Sequence, residues 1–170
     1  MIEIVPAQSG DAFEQFIGLS LEYVTWMRAE IQAQYPQLDL ALFAAEHAYD
    51  DIRKKYPGDS VPPDGCLLIA LNEGVACGCI ALGRLEPTIC EVRTLYVRPE
   101  CRGMGIAKQL VEADLSEARA FGYHHARLDT LGFMENAQEL YRSFGFHEIA
   151  PYGHGSPSLR AYVRFLELTL

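Results

Sequence analysis

The segment from Glu91 to Ala107 reads EVRTLYVRPECRGMGIA, and it decides the fold of this chain. It begins inside the run TICEVRTLYV (88–97), whose β-branched and aromatic residues predict a strand that stops before Pro99. It ends inside a helix predicted from about Gly103 to Gly122, because apolar residues recur there at helical spacing. The segment is therefore a strand-to-helix connection with glycines at the start of the helix.

The turn from Arg102 to Ala107 has the features of an anion-binding site. A helix N-terminus leaves backbone N–H groups unpaired and carries partial positive charge, so it attracts phosphate. Gly103 and Gly105 lack Cβ atoms, which lets an anion approach the backbone, and the Arg102 guanidinium adds a charged donor. The alternative is a glycine-rich loop that only turns the chain. Neither GxxxxGK[ST] nor GxGxxG fits here, so a P-loop and a dinucleotide fingerprint both fail on spacing.

The rest of the chain alternates helical and strand patterns around this connection. A first strand is predicted at 2–5, followed by helices at 11–34 and 40–55. The runs CLLIAL (66–71) and VACGCIAL (75–82) flank a short turn and predict a β-hairpin. Later elements are a strand at 125–130, a helix at 135–144 and strands at 146–149 and 160–168. This order predicts a mixed α/β sheet with helices on its faces.

Composition indicates an ordinary globular domain. The chain has 170 residues, 49% of them hydrophobic and 22% charged, which suits one core and a single domain spanning 1–170. The net charge of −9 argues against a nucleic-acid partner. An acidic surface attracts cationic substrates, and the alternative is that it serves only solubility. Because there is no membrane-spanning apolar run and no signal peptide, we expect no membrane partner and a cytoplasmic location.

The five cysteines are expected to be reduced and structural. Their odd number, without a secretion signal, argues against disulfides. Cys77 and Cys79 are expected on one face of a strand, because side chains alternate with a period of two. The alternative is a thiol or metal site built from Cys77, Cys79 and Cys90. A zinc site would want more ligands at tetrahedral spacing, so we expect no metal.

Two motifs resemble the signatures of the GNAT N-acetyltransferase family. Arg102-x-x-Gly105-x-Ala107 fits the family's pyrophosphate loop, [RQ]xxGx[GA], and LYVRPE (95–100) before it is close to the family's LYVxPE. NAQELYRSFGF (136–146) is similar to the second signature, NxxAxxLYxxxGF, with small variations. The resemblance covers about residues 66–149. Residues 1–60, which usually carry substrate specificity in that family, share only its general shape.

The resemblance implies the acyl-CoA N-acyltransferase fold, a mixed and mostly antiparallel sheet with helices on both faces. Its central parallel strands, here 88–97 and 125–130, splay apart and leave backbone groups free to pair with a ligand. The implied ligand is acetyl-CoA, bound as a co-substrate. The residues implied to contact it are Leu95, Tyr96, Val97, Arg102, Gly103, Met104, Gly105, Ile106, Ala107, Asn136 and Tyr141.

The implied reaction is acetyl transfer to a primary amine of a small molecule or peptide, by direct attack in a ternary complex. Tyr141 occupies the family's tyrosine position near the CoA sulfur and is the candidate acid; the alternative is a core aromatic. Glu91 precedes Leu95 by four residues, so strand alternation predicts that both project to one face. Glu91 is therefore the candidate base, and pairing with Arg93 or exposure at a strand end is the alternative.

A second function on the same fold is a non-catalytic acyl-CoA-binding regulatory protein. It would not need Tyr141 or a base, so the presence of both candidates favours an enzyme. By resemblance, the loop 151–158 and the first two helices frame the acceptor pocket, and a homodimer is an option because many relatives are dimers. Asp114 and Glu117 fall towards the apolar side of their predicted helix, and no role follows for them.

Overall fold

The computed structural model describes residues 1–38, 48–153 and 160–170. A short 3₁₀ turn at Pro99–Cys101 separates the fourth strand from the third helix. In chain order the strands and α-helices are β1 (Ile2–Pro6), α1 (Gly10–Gln34), α2 (Ala48–Lys55), β2 (Cys66–Asn72), β3 (Val75–Glu86), β4 (Ile89–Val97), α3 (Ile106–Ala120), β5 (His125–Leu131), α4 (Glu135–Ser143), β6 (His147–Ile149) and β7 (Val163–Thr169).

The strands form one seven-stranded sheet in the order β1-β2-β3-β4-β5-β7-β6. Neighbouring strands are antiparallel except for β4 and β5, which are parallel. A parallel pair needs a long crossover connection, and α3 supplies it. The predicted mixed, mostly antiparallel sheet with a central parallel pair is therefore confirmed.

Two hydrophobic clusters pack on opposite faces of the sheet. On one face, which we call the α3 face, Leu110 and Leu115 of α3 pack with Leu128 of β5. On the other, the α1 face, Phe16 of α1 packs with Tyr56, which follows α2. In the described residues no helix is long and apolar enough to cross a membrane.

Several predicted boundaries shift for local reasons. The third helix begins at Ile106 rather than near Gly103, because Gly103 and Gly105 have φ of 79° and 73°, outside the helical region. The last strand begins at Val163, not at 160. Residues 40–47 of the predicted second helix and residues 154–158 of the predicted acceptor loop lie outside the described residues.

The prediction that Cys77 and Cys79 share one strand face is wrong. Cys77 packs in the α3-face cluster and Cys79 in the α1-face cluster. The register between β2 and β3 shifts between Ala70 and Leu71, and this bulge on β3 breaks the alternation of side chains. Cys90 lies with Cys77 on the α3 face, so the three thiols do not converge on one point.

Candidate active site

The two parallel strands at the centre of the sheet separate soon after they pair. Residues 89–91 of β4 pair with residues 125–127 of β5, and in the described part of the chain the pairing ends there. β5 continues its pairing with β7 as far as Leu131. The edge of β4 over residues 92–97 therefore borders a gap, where its main-chain groups are available to a ligand. This is the splayed pair that the family resemblance implies.

A β-bulge in β4 lies where the strands separate. Between Cys79 and Ala81 the register of β3 shifts, so that a single β3 residue opposes both Thr94 and Leu95. Thr94 has φ 55°, in the left-handed region that non-glycine residues seldom occupy. Its Oγ1 lies 2.7 Å from the hydroxyl of Tyr56. This hydrogen bond to the α1 face fixes the bulge beside the gap.

The bulge reverses the alternation of side chains along β4. Before it, Val92 packs on the α3 face, so Glu91 points to the α1 face. After it, Leu95 and Val97 pack against the α3 face and Tyr96 against the α1 face. Glu91 and Leu95 therefore project to opposite faces, and the prediction that they share one is wrong. The period-two rule assumes an unbroken ladder, and the bulge adds one residue to it.

The turn that leads into α3 is open to an incoming anion. No atom lies within 4 Å of a Cβ built on Gly103 or Gly105. Arg102 is anchored at the end of β4, because its Nε donates to the Val97 carbonyl at 3.1 Å. Its guanidinium also lies over the ring of Trp26, at 5.5 Å. Because α3 begins directly after Gly105, its unpaired N–H groups face this open turn.

A cavity of about 740 Å³ joins the turn to the exposed edge of β4. Most of the predicted contact residues line it, namely Leu95, Tyr96, Val97, Arg102, Gly103, Gly105, Ile106, Ala107 and Asn136. Met104 and Tyr141 are not in the lining, and 48% of Met104 is exposed to solvent. A strand edge and an anion-binding turn thus share one cavity, as a long ligand with a phosphate group requires.

Helix α1 contributes a wall of the cavity that sequence reasoning missed. Trp26, Glu30 and Gln34 line it from α1, and Phe133 lines it from the segment before α4. The sequence of α1 shows only amphipathic spacing, which does not distinguish a packing face from a ligand wall. The available signal was Trp26, the single tryptophan of the chain. It also gives this cavity a fluorescent reporter.

Tyr141 lies on α4 directly after Leu140, which lines the cavity. It is buried, and its ring packs edge-on against Phe146 with centroids 5.6 Å apart. Among the described residues its hydroxyl has no hydrogen-bond partner. Burial raises the pKa of Tyr141 above its usual value, so the hydroxyl keeps its proton at neutral pH. The residue is thus a core aromatic that carries an unpaired proton donor.

Glu91 belongs to an ion-pair network on the α1 face. Arg93 Nε donates to its carboxylate at 2.6 Å, and the Tyr152 hydroxyl donates to it at 3.3 Å. Arg93 also donates to Asp59 at 2.7 Å. Burial opposes the charge of Arg93, but the hydrogen bonds to Asp59 and Glu91 outweigh it and raise the Arg93 pKa. The structure therefore shows the pairing with Arg93 that the sequence leaves open, and the role of Glu91 as a base stays a prediction.

The fold and the splayed strands define the class of protein. A proposed acyl-CoA N-acyltransferase of Klebsiella pneumoniae superposes with a TM-score of 0.72 at 22% identity, over 100% of this chain and 98% of that one. The PaiA N-acetyltransferase of Thermoplasma acidophilum, solved in complex with coenzyme A, superposes with a TM-score of 0.69 at 20% identity, over 100% and 99%. At these identities the similarity shows the fold, which is that of the acyl-CoA N-acyltransferases.

The sequence profile of the acetyltransferase (GNAT) family matches residues 24–146, and the chain belongs to this family. An uncharacterised N-acetyltransferase of Schizosaccharomyces pombe is 40% identical over 105 residues, which are 61% of this chain and 64% of that protein. The chain spans less than two thirds of the length of the first curated relatives it matches, with 64%, 37% and 38% covered. The family predicted from the motifs is thus confirmed.

Proposed function

We propose that this chain transfers an acetyl group from acetyl-CoA to a primary amine by direct attack in a ternary complex. The observation that carries the proposal is the cavity that joins an open helix start to the free edge of β4. Family membership supports acetyl transfer, and a neighbour of the same fold holds coenzyme A. In this proposal residues 1–170 act as one catalytic domain.

The donor half of the site would be built mainly from main-chain groups. The amides of residues 103–107 would bind the pyrophosphate together with Arg102, because open space lies beside both glycines. Leu95 and Val97 would pair with the pantetheine arm along the free edge of β4, as a neighbouring strand would. The Leu95 N–H would also donate to the carbonyl oxygen of the thioester, and Asn136 would bind the arm.

The acceptor ammonium loses two protons in all, one to become the free amine and one as the amide forms, and the sulfur gains one. A C–N bond forms and a C–S bond breaks, while the amine loses a proton and the sulfur gains one. Deprotonating an alkylamine with a pKa of about 10.4 costs roughly 4–5 kcal/mol at pH 7, so a base beside the acceptor is needed. Tyr141 is proposed to protonate the sulfur, since burial keeps its hydroxyl protonated. Glu91 is the candidate base from the sequence, although Arg93 already pairs with it.

The acceptor, a small-molecule amine or a peptide amine, is proposed to reach the gap from the α1 face. Helix α1 is fixed beside the gap there, because Arg98 at the end of β4 donates to Glu22 at 2.6 and 2.9 Å. The net charge of −9 favours a cationic ammonium over an anionic acceptor. The alternative, a non-catalytic acyl-CoA-binding protein, would share the donor half of the site and lack acetyl transfer.

The experiment has a binding arm and a turnover arm. Quenching of Trp26 fluorescence during titration with acetyl-CoA measures binding, because this is the single tryptophan and it lines the cavity. Release of free thiol from acetyl-CoA is then measured against amino acids, spermidine, 2-phenylethylamine and peptides with a free N-terminus or lysine.

We expect acetyl-CoA to bind and at least one amine to be acetylated, with the product confirmed by mass spectrometry. Binding without acetylation of any amine would favour the regulatory alternative. No binding in the fluorescence titration, repeated by calorimetry, would refute both functions. Desulfo-CoA, which keeps the pyrophosphate but lacks the sulfur, is the control: it should bind without turnover.

A further inference from the structure

Asp129 lies on β5 just beyond the point where the parallel strands separate. The ladder with β4 ends at the pair formed by Glu91 and Arg127, and Asp129 is two residues further along. Its neighbour Leu128 packs on the α3 face, so Asp129 projects to the α1 face, where it is exposed to solvent. In the antiparallel pairing with β7 it lies opposite Phe165. Asp129 therefore stands on the acceptor side of the gap.

The surrounding carboxylates are neutralised by arginines, whereas Asp129 is not. Glu91 is paired with Arg93, and Glu167 is paired with Arg127, each at 2.6 Å. In the ranges that the structure describes, Asp129 has no hydrogen-bond or ion-pair partner. An unpaired carboxylate beside the gap is free to bind an ammonium group, while the paired ones would first have to release an arginine.

Asp129 is exposed, yet protein atoms crowd it on several sides. This crowding raises the pKa of Asp129 above its usual value; the charge of Glu91 raises it further, and Lys55 acts in the opposite direction. Arg93 lies close to Lys55 and Glu91 and adds a second positive charge. The titratable groups within electrostatic range of Asp129 from other elements are Tyr23 on α1, Lys55 in the last turn of α2, Glu91 on β4, Tyr141 on α4 and Tyr152 after β6.

We infer that Asp129 is the general base that takes the proton from the acceptor ammonium, and that Glu91 only positions Arg93 and Tyr152. This inference rests on the proposed acetyl transfer. One proton moves from the ammonium nitrogen to a carboxylate oxygen of Asp129 as the C–N bond forms. The C–S bond breaks, and the hydroxyl of Tyr141 protonates the sulfur. The amide nitrogen loses its second proton to solvent, from which Tyr141 is reprotonated, and Asp129 releases its own proton to solvent, which restores both groups.

The test is the pH dependence of kcat/KM for Asp129→Asn, measured with the best amine from the thiol-release panel. At pH 7 we expect kcat/KM to fall about 100-fold or more, the usual range for loss of a general base. Wild-type kcat/KM should be nearly constant between about pH 7 and 9. In the Asp129→Asn variant kcat/KM should rise about tenfold per pH unit, because the variant can use only the amine that is already deprotonated in solution. Acetyl-CoA affinity, followed by Trp26 fluorescence, should stay unchanged.

Two further variants keep the result interpretable. Asp50→Asn removes an exposed carboxylate from the first turn of α2 that does not line the cavity, and should retain the wild-type profile. Asp129→Ala leaves space for a small carboxylate, so added formate should act as the base in place of Asp129 and restore part of kcat/KM. If Asp129→Asn keeps the flat wild-type profile, or Glu91→Gln alone acquires the rising one, Asp129 is not the base. If wild type acetylates no amine while acetyl-CoA binds, the proposed function fails, and this inference falls with it.

Discussion

Replacing Gly105 with valine tests the anion-binding turn, and Gly122 offers a matched control. The two glycines flank helix α3 with φ of 73° and 83°, and the space around each missing Cβ is open. Valine meets a similar left-handed backbone penalty at either position, about 1–2 kcal/mol. Of the two, Gly105 lines the cavity and Gly122 does not. The pair therefore separates the cost of backbone strain from the cost to ligand binding.

The expected loss of affinity follows from the hydrogen bonds at the turn. In the proposed complex the pyrophosphate occupies the open space beside Gly105, where the valine side chain would lie. Each hydrogen bond to a charged group contributes about 1.5–3 kcal/mol. Loss of two such bonds amounts to at least about 3 kcal/mol, which raises the Kd for acetyl-CoA about 100-fold or more. Gly122→Val should change the Kd by less than about twofold, because the site is remote.

Trp26 fluorescence and calorimetry give the Kd, and urea denaturation gives the free energy of unfolding. Both variants should lose a similar free energy of unfolding. If Gly105→Val binds acetyl-CoA as tightly as Gly122→Val, the pyrophosphate does not lie on this turn, and the assignment of residues 103–107 is refuted.

Three further predictions concern stability and turnover. Burial raises the pKa of Asp114 well above its usual value, so folding binds a proton and stability declines as pH rises from about 4 through the native pKa. Asp114→Asn should therefore raise the free energy of unfolding in urea at pH 7 by at least about 1 kcal/mol, with little change at pH 4. Tyr141→Phe should lower kcat at least about tenfold without changing acetyl-CoA affinity. If this variant reacts at the wild-type rate in a single-turnover assay, Tyr141 is not the acid. A Cβ on Gly83 would overlap the guanidinium of Arg93, which ion pairs with Asp59 and Glu91 hold in place, so Gly83→Ala should lower the free energy of unfolding by about 1–3 kcal/mol in urea denaturation. No loss would contradict this packing.

The features of the site that are local in sequence could be predicted. The glycine-containing turn and the amphipathic helix after it depend on neighbouring residues, so both could be predicted, although the helix begins at Ile106 rather than near Gly103. The parallel strand pair followed from the family resemblance, and the helix that links the two strands agrees with it. Motif order and spacing then identified the family that the profile match confirms.

The features that depend on distant residues could not be predicted. The bulge at Thr94 is fixed by a hydrogen bond to Tyr56, 38 residues earlier in the chain, and no glycine or proline marks it. Two of the bulges in the sheet each invalidated one prediction from strand alternation, for Cys77 with Cys79 and for Glu91 with Leu95. Both bulges depend on the partner strand, whose register the sequence of one strand does not encode.

The role of Asp129 could not be predicted from the sequence for a related reason. In sequence it is one polar residue in the strand HARLDT (125–130), with nothing to distinguish it from a solvent-facing position. Its interest comes from the end of the ladder at Glu91 and from the arginines that pair with the other carboxylates nearby. Those relations exist only once β4, β5 and β7 are assembled.

A crystal structure of the protein with bound acetyl-CoA tests the central claim most directly. We expect the pyrophosphate to accept hydrogen bonds from the amides of residues 103–107, and the pantetheine arm to lie along the edge of β4 in the gap. The thioester carbonyl oxygen should accept a hydrogen bond from the Leu95 N–H. Acetyl-CoA bound elsewhere, with the turn from Arg102 to Ala107 and the edge of β4 both free of ligand, would contradict the account.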